Sequence, residues 1–434
     1  MAHSRRLAAG IAALTSTALL LAACSGESED PAASGSDGGG DAQVTLTWWH
    51  NGTGEPLNGY WQSVADAFMA ENPNVTVDVQ AYQNEELQRT LIPNALRSND
   101  PPDLFQQWGA GELAAQVEAG YIMDVTDDVA DIVDGIAAVS PWQIDGKTYG
   151  LPFSFGIEGF WYNTELFDQA GITETPETLD DLYDAIDALK AADITPIAVG
   201  AGDSWPAAHY WYNFALKACS PATLEAAQAN LVFDDPCFVD AGTMLQEFLD
   251  SEPFQEGYLA TSAQQGAGSS AGLLANGNAA MELMGHWNPG VMGGLTESGE
   301  IPEFLGWFNF PSIPGSAGDP TAVLGGGDGF SCSAGAPPEC VDLLRFISSV
   351  DNQIAFGETG AGVPVTMGSE DAVDPILAQV LEGRNSATYT QMWLDTAYGP
   401  NVGGAMNDGI TNMFAGQASP EDIVQGMQDA AANQ

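Results

Sequence analysis

The chain has 434 residues, room for about two or three domains of ordinary size. It sets 9 Lys and Arg against 59 Asp and Glu, a formal net charge of −50 at neutral pH. That leaves too few cations to neutralise a nucleic-acid backbone or to grip an anionic bilayer through a basic patch. Charged residues make up only 16%, and 11 Trp, 11 Tyr and 18 Phe supply enough apolar surface to argue against disorder. What remains is a folded, acidic, aromatic-rich protein whose partner is neutral or weakly charged.

The first segment reads as an address. Arg5 and Arg6 precede an apolar stretch from Leu7 to Ala23 that ends in small residues, the pattern of a secretory signal and too short for a spanning helix. Leu21-Ala22-Ala23-Cys24 resembles the bacterial lipobox, which implies that the Cys24 thiol is lipidated (palmitate among the acyl groups) once residues 1–23 are removed. Residues 25–42 are rich in Ser, Gly and Asp with no apolar run, so residues 24–42 read as an anchor and a flexible linker.

Strands and helices then alternate. Val44 to Trp49 alternates like a strand, and Glu55 to Asn72 carries Leu57, Trp61, Val64, Ala65 and Phe68 at helical spacing, stopped by Asn72-Pro73. Val75 to Val79 reads as a strand, Glu85 to Arg97 as a helix, and Asp103-Leu104-Phe105 as the start of a short strand. This βαβαβ opening implies a doubly wound α/β sheet. Further on, Thr178 to Ala192, Asp240 to Leu249, Val341 to Val350, Asn407 to Phe414 and Pro420 to Ala431 read as helices. Pro196 to Val199 and Ala279 to Met284 read as strands. No second low-complexity linker appears, so one long body implies two interleaved lobes with the chain crossing between them more than once.

With Cys24 set aside, Cys219, Cys237, Cys332 and Cys340 remain. Their spacing suggests two local disulfides, Cys219–Cys237 and Cys332–Cys340, among three possible pairings. A zinc site would need a CxxC or a nearby His pair, and neither is present.

The blocks VTLTWWH, FMAENPNVTVDV, PPDLFQQWGAGELAAQVEAGYIMDV, YGLPFSFGIEGFWYNTELFDQAGI, GNAAMELMGHW and NDGITNMFAGQASPEDIV, in this order after a lipobox and linker, resemble family 1 extracellular solute-binding proteins of carbohydrate ABC transporters. The resemblance covers residues 43–430, and the actinobacterial oligosaccharide binders look nearest. It implies a two-lobed, periplasmic-binding-protein-like fold, each lobe a doubly wound sheet flanked by helices, with hinge crossovers. Residues 43–154 with about 325–375 would form lobe 1, and residues 155–324 with about 376–434 lobe 2. It also implies a monomeric, non-enzymatic receptor without cofactor or metal, lipid-anchored on the outer face of the cell membrane. Its partners would be a neutral oligosaccharide, xylo-oligosaccharide first and α-galactoside second, and the transmembrane subunits of an ABC permease.

A sugar ring offers an apolar CH face and a rim of hydroxyls, so its site wants Trp and Tyr platforms edged by planar polar groups. Loops that follow strands are where to seek them. His50, Asn51 and Glu55 follow the first strand. Gln107 and Trp108 follow the strand at Leu104, and Trp108 aligns with a stacking position of the family. Phe153, Ser154 and Phe155 fall where the family's chain first crosses between lobes. Trp205, beside Asp203, opens a helix. Trp287 and Asn288, after His286, follow the strand at Met284, and Trp287 matches another family platform. The Gly325 to Gly329 run reads as a second crossing, with Gly327 and Asp328 as contacts, and Trp393 and Asp395 complete the set. Trp48, Trp61 and Trp161 sit inside periodic segments and read as core.

Two rival classes use similar residues. A secreted glycoside-active hydrolase also pairs aromatics with carboxylates, and Gly268-Ser269-Ser270-Ala271-Gly272 matches G-x-S-x-G. A nucleophile elbow, however, needs a preceding strand, which Tyr258 to Gln265 does not resemble. A peptide receptor would need a cation for the terminal carboxylate. Gly325 to Gly327 lacks the Lys-Ser/Thr of a phosphate loop.

Overall fold

The structure is a computed structural model, and it describes residues 43–433. The signal segment, Cys24 and the linker lie outside the described residues. Strand β1 (Val44–His50) turns Leu46, Trp48 and His50 into the interior. The next helix, Leu57–Glu71, buries Tyr60, Trp61, Val64, Ala65 and Phe68 at three- and four-residue steps, a single apolar stripe that docks on the sheet. Strands β2 (Val75–Ala81) and β3 (Leu104–Gln107) both pair with β1 in parallel. Between them runs a helical stretch, Asn84–Glu86, Leu87–Leu91 with π-type spacing, and Ile92–Leu96. The βαβαβ opening is therefore present as read.

Beyond it the sheet is mostly antiparallel. A small hairpin, β4 (Gln143–Ile144) and β5 (Lys147–Thr148), leads into β6 (Leu151–Asn163). The early part of β6 pairs with β9 (Val323–Cys332), and its later part with β7 (Met281–Gly285) and β8 (Leu305–Asn309). β9 in turn reaches β3 at one end and β10 (Thr390–Met392) at the other. Two strands, β6 and β9, thus link the parallel opening to the rest of the mixed sheet, whose main path is β2-β1-β3-β9-β6-β7, with β10 on β9 and β8 on β6.

The hydrophobic interior falls into groups on either side of these strands. One contains Leu46, Trp48, Trp61, Phe68, Phe153, Phe330 and Phe356, with a neighbour around Leu87, Phe105, Trp108 and Trp142. The other contains Phe160, Tyr210, Trp211, Phe214, Phe248, Phe310, Met406 and Phe414, with a neighbour around Trp161, Trp205, Met284 and Trp307. Trp48, Trp61 and Trp161, read as core, are fully buried.

Two expectations change, and a third segment is placed. Pro196 to Val199 is not a strand; it makes only isolated bridges at Ile197 to Phe254 and Met281, because Ala201–Asp203 turns the chain away at once. The Gly325 to Gly329 run, read as a second crossing, lies inside β9 despite the low strand propensity of glycine. The helix from Val341 starts earlier, at Glu339, and ends at Ile347; a separate helix, Val350–Glu358, follows. Both local disulfides are present, Cys219–Cys237 and Cys332–Cys340. Among the described residues no helix is long and apolar enough to cross a membrane.

Candidate functional site

A cavity of about 1140 Å³, counted to its open mouth, lies beside β6 and β9. Trp108, Trp205, Trp287 and Trp393 all line it, together with Phe153, His209 and the carboxylates of Glu55, Asp328 and Asp395. Trp108 belongs to the core group of Leu87 and Phe105. Trp205 and Trp393 belong to the groups on the other side. The indoles therefore approach the cavity from both sets of elements.

Local structure explains how each is aimed. Trp108 follows β3, and Gln107 stitches its turn: Oε1 accepts the Trp108 and Gly109 N–H groups at 3.0 Å, while Nε2 donates to Gln116 at 2.8 Å. Ser204 adopts a left-handed φ of 63°, a strained value for a residue with a Cβ, and so starts the helix Trp205–Ala218 with Trp205 at its mouth. The Trp393 indole lies against the backbone of β9, where a Cβ on Gly326 would come within 2.0 Å of its Nε1. Only glycine permits that approach. Trp287 lies 6.2 Å from Trp205 and 5.8 Å from Trp393 between ring centroids, and His209 stacks on Trp393 at 5.0 Å. Glu158, fully buried, holds the Nδ1 side of His209 and accepts Asn213 Nδ2 at 2.7 Å.

The polar edge is acceptor-rich. Asp328 Oδ1 accepts from Gln106 Nε2 at 2.8 Å, and burial pushes its carboxyl up to about 6. Asp395 lines the cavity but is already engaged. Its Oδ1 accepts the Thr396 N–H at 2.8 Å, and its Oδ2 meets Arg89 at 2.5 Å and Asn407 at 3.3 Å. Arg89 sits among Asp395, Glu85 and Glu112. Burial opposes its charge, and these acids hold the guanidinium protonated above its usual range. Burial raises Glu85 and Glu112 to about 7 against the pull of Arg89. Among the described lining residues there is no Lys or Arg.

Of the residues expected at the site, Asn51, Glu55, Trp108, Phe153, Ser154, Trp205, Trp287, Asp328, Trp393 and Asp395 meet at this cavity. The others stand behind it. His50 is buried against Trp48 and Trp61, accepts the Gly52 N–H at 3.1 Å, and is held neutral by burial, which lowers it to about 4. Gln107 caps the Trp108 turn. Phe155 is half-buried and packs beside the first core group. Asn288 is buried and donates to Glu282 at 2.7 Å. Gly327 lets β9 close on β6, since a Cβ there would meet the Ser154 carbonyl at 2.2 Å. His209, Gln88 and Gln264 line the cavity without having been singled out. His209 stands four residues after Trp205, one helical turn on, and that spacing was the available signal. Ser269 and Ser270 do not line it. Ser269 caps the helix Ser270–Ala275, and the buried Ser270 Oγ donates to the Ala263 carbonyl.

A model of the bacterial extracellular solute-binding proteins matches residues 51–354. An ABC transporter extracellular-binding protein of Pyrococcus horikoshii is 26% identical over 315 residues, covering 70% of this chain and 69% of the relative. A protein solved in work on xylan utilization by the thermophilic bacterium Caldanaerobius polysaccharolyticus superposes with a TM-score of 0.81 at 27% identity, covering 89% of this chain and 99% of that one. A chitin oligosaccharide-binding protein superposes with a TM-score of 0.82 at 24% identity, covering 91% of this chain and 99% of that one. The fold is that of the two-lobed periplasmic solute-binding proteins. With the family model spanning well over half of its length, the chain belongs to the bacterial extracellular solute-binding protein family.

Proposed function

We propose that this protein is the substrate-binding component of an ABC importer for a neutral oligosaccharide. Four indoles and Asp328 converging on one cavity carry this reading, because stacked rings and a hydroxyl acceptor are what a sugar needs. Xylo-oligosaccharide is the first ligand class and α-galactoside the second. The protein with the xylan-utilization setting, at 27% identity over nearly all of its length, supports that order. The lack of a lining Lys or Arg among the described residues argues against sugar acids, phosphates and peptide carboxylates.

In this reading residues 43–154 with about 325–375 form one lobe, and residues 155–324 with about 376–434 the other. Ligand touches both lobes only when they close, so binding favours the closed state. The closed, monomeric receptor then docks on the permease while a lipid on Cys24 tethers it to the membrane. No bond in the ligand is made or broken.

The test is a thermal-shift and calorimetry screen of residues 43–434 against neutral oligosaccharides. The matching sugar raises the melting temperature progressively as its concentration exceeds Kd. Trp205→Ala and Trp287→Ala remove that shift while the folded baseline is retained. Wild-type-like binding by both variants excludes this site, and turnover of a glycoside favours the hydrolase instead.

A further inference from the structure

Ser154 and His286 form a pair whose hydrogen-bond inventory bears on what the cavity recognises. Ser154 stands at an irregular step of β6, where Pro152 pairs with Gly329 and Ser154 already pairs with Asp328. The extra residue re-aims the strand, and Ser154 and Asp328 both line the cavity. Ser154 Oγ lies 2.9 Å from His286 Nε2 and accepts the Val363 N–H at 3.2 Å. His286 is fully buried, and its Nδ1 has no partner among the described residues. Its ring fits only because residue 156 is glycine, where a Cβ would approach the imidazole to 2.3 Å.

Counting hydrogens decides the arrangement. A neutral imidazole carries one N–H, and burial, with Arg384 adding to it, keeps His286 neutral by lowering it to about 3. A proton on Nδ1 would be a buried donor without an acceptor. A proton on Nε2 is used by Ser154 and leaves only an unpaired lone pair, the less costly of the two. Ser154 Oγ then accepts from both Val363 and His286, which fills its two lone pairs. Its own hydrogen is left for the cavity. Beside it, Asp328 has one oxygen on Gln106 and no partner for the other among the described residues.

We infer that His286 is a positioning residue that fixes Ser154 as a donor, so that Ser154 and Asp328 offer one donor and one acceptor to the same ligand hydroxyl. This rests on the sugar reading of the cavity and adds a specificity to it. A ring bearing a free hydroxyl at that subsite is accepted, and one bearing a hydrogen or a methyl ether there is refused.

Two measurements test it. In the mature, ligand-free chain labelled with ¹⁵N-histidine, long-range ¹H–¹⁵N spectra report which ring nitrogen carries the proton, with the His286 signals assigned by their loss in His286→Asn. The Nε2–H pattern is expected between pH 6 and 8, and the Nδ1–H pattern overturns the inference. In calorimetry with xylotetraose as probe, Ser154→Ala is expected to weaken binding about three- to tenfold, the worth of one hydrogen bond. Asp328→Asn should cost a similar factor, and the double variant less than the product, since both groups hold one hydroxyl. His286→Asn, which keeps an N–H, should retain more affinity than His286→Leu at matched thermal stability. Equal binding by wild type and Ser154→Ala overturns the inference and leaves the sugar reading standing. If no panel sugar binds the wild type, the sugar reading falls, and the ligand half of the inference falls with it.

Discussion

Asp328 shows how one carboxylate ties the cavity to solution pH. Burial among β6, β9 and the platforms raises it from its ordinary range to about 6. In the unfolded chain it ionises near its usual value, so between about pH 4 and 6 the folded state holds a proton that the unfolded state has lost. Its contribution to stability therefore falls as pH rises through that window. Ligand binding runs the other way, because a hydroxyl donates to the ionised form. Affinity is expected to drop several-fold as pH falls through about 6, and Asp328→Asn should bind more weakly at pH 7 but with a flatter profile. Titration calorimetry at pH 5, 6, 7 and 8 checks this, and an unchanged slope in the variant would falsify the assignment.

At the scale of the element, β9 is a strand built against its own propensity. Its glycine run makes room for the Trp393 indole and for the close approach of β6. A methyl at residue 326 has to push Trp393 aside, and with it the partners Trp287 and His209 that touch its ring. Gly326→Ala is expected to cost about 1–3 kcal/mol of stability through overpacking. It should weaken ligand binding by more than tenfold, with a changed indole fluorescence spectrum. Melting curves and calorimetry on the purified variant check both effects; a variant that melts and binds like wild type would show that Trp393 is not held by this contact.

For the whole molecule, the link between Arg89 and Asp395 joins groups 306 residues apart in the chain. Leu87 and Ile92, which flank Arg89, pack in the core group of Phe105 and Trp108. Leu394 and Ala397, which flank Asp395, pack in that of Tyr210 and Phe214. A charge pair partly withdrawn from water loses more when one partner is removed than an exposed pair does. Arg89→Met is therefore expected to leave Asp395 without its counter-charge and to favour separation of the two sides. Small-angle scattering should show a larger radius of gyration without ligand, and affinity should fall by the fraction of closed chains lost. An unchanged radius together with unchanged affinity would exclude this role.

Much of the molecule was legible from residue order because its cause is local. The alternation of β1 and the apolar stripe of Leu57–Glu71 recur every two or every three to four residues. Aromatics in loops after strands could likewise be named as candidates to line a cavity, since strand ends are where side chains escape the core. The span of β6 and β9 was not legible, because their phenylalanine- and glycine-rich runs carry no period of two and owe their pairing to each other. Nor could order alone separate Asp328, which faces the cavity, from Asn288 and His50, which stand behind it. That choice depends on which way a strand face turns once partners more than a hundred residues away have packed. Chain order determined the elements and the chemistry on offer, and only the packed sheet decided which of those groups share one space.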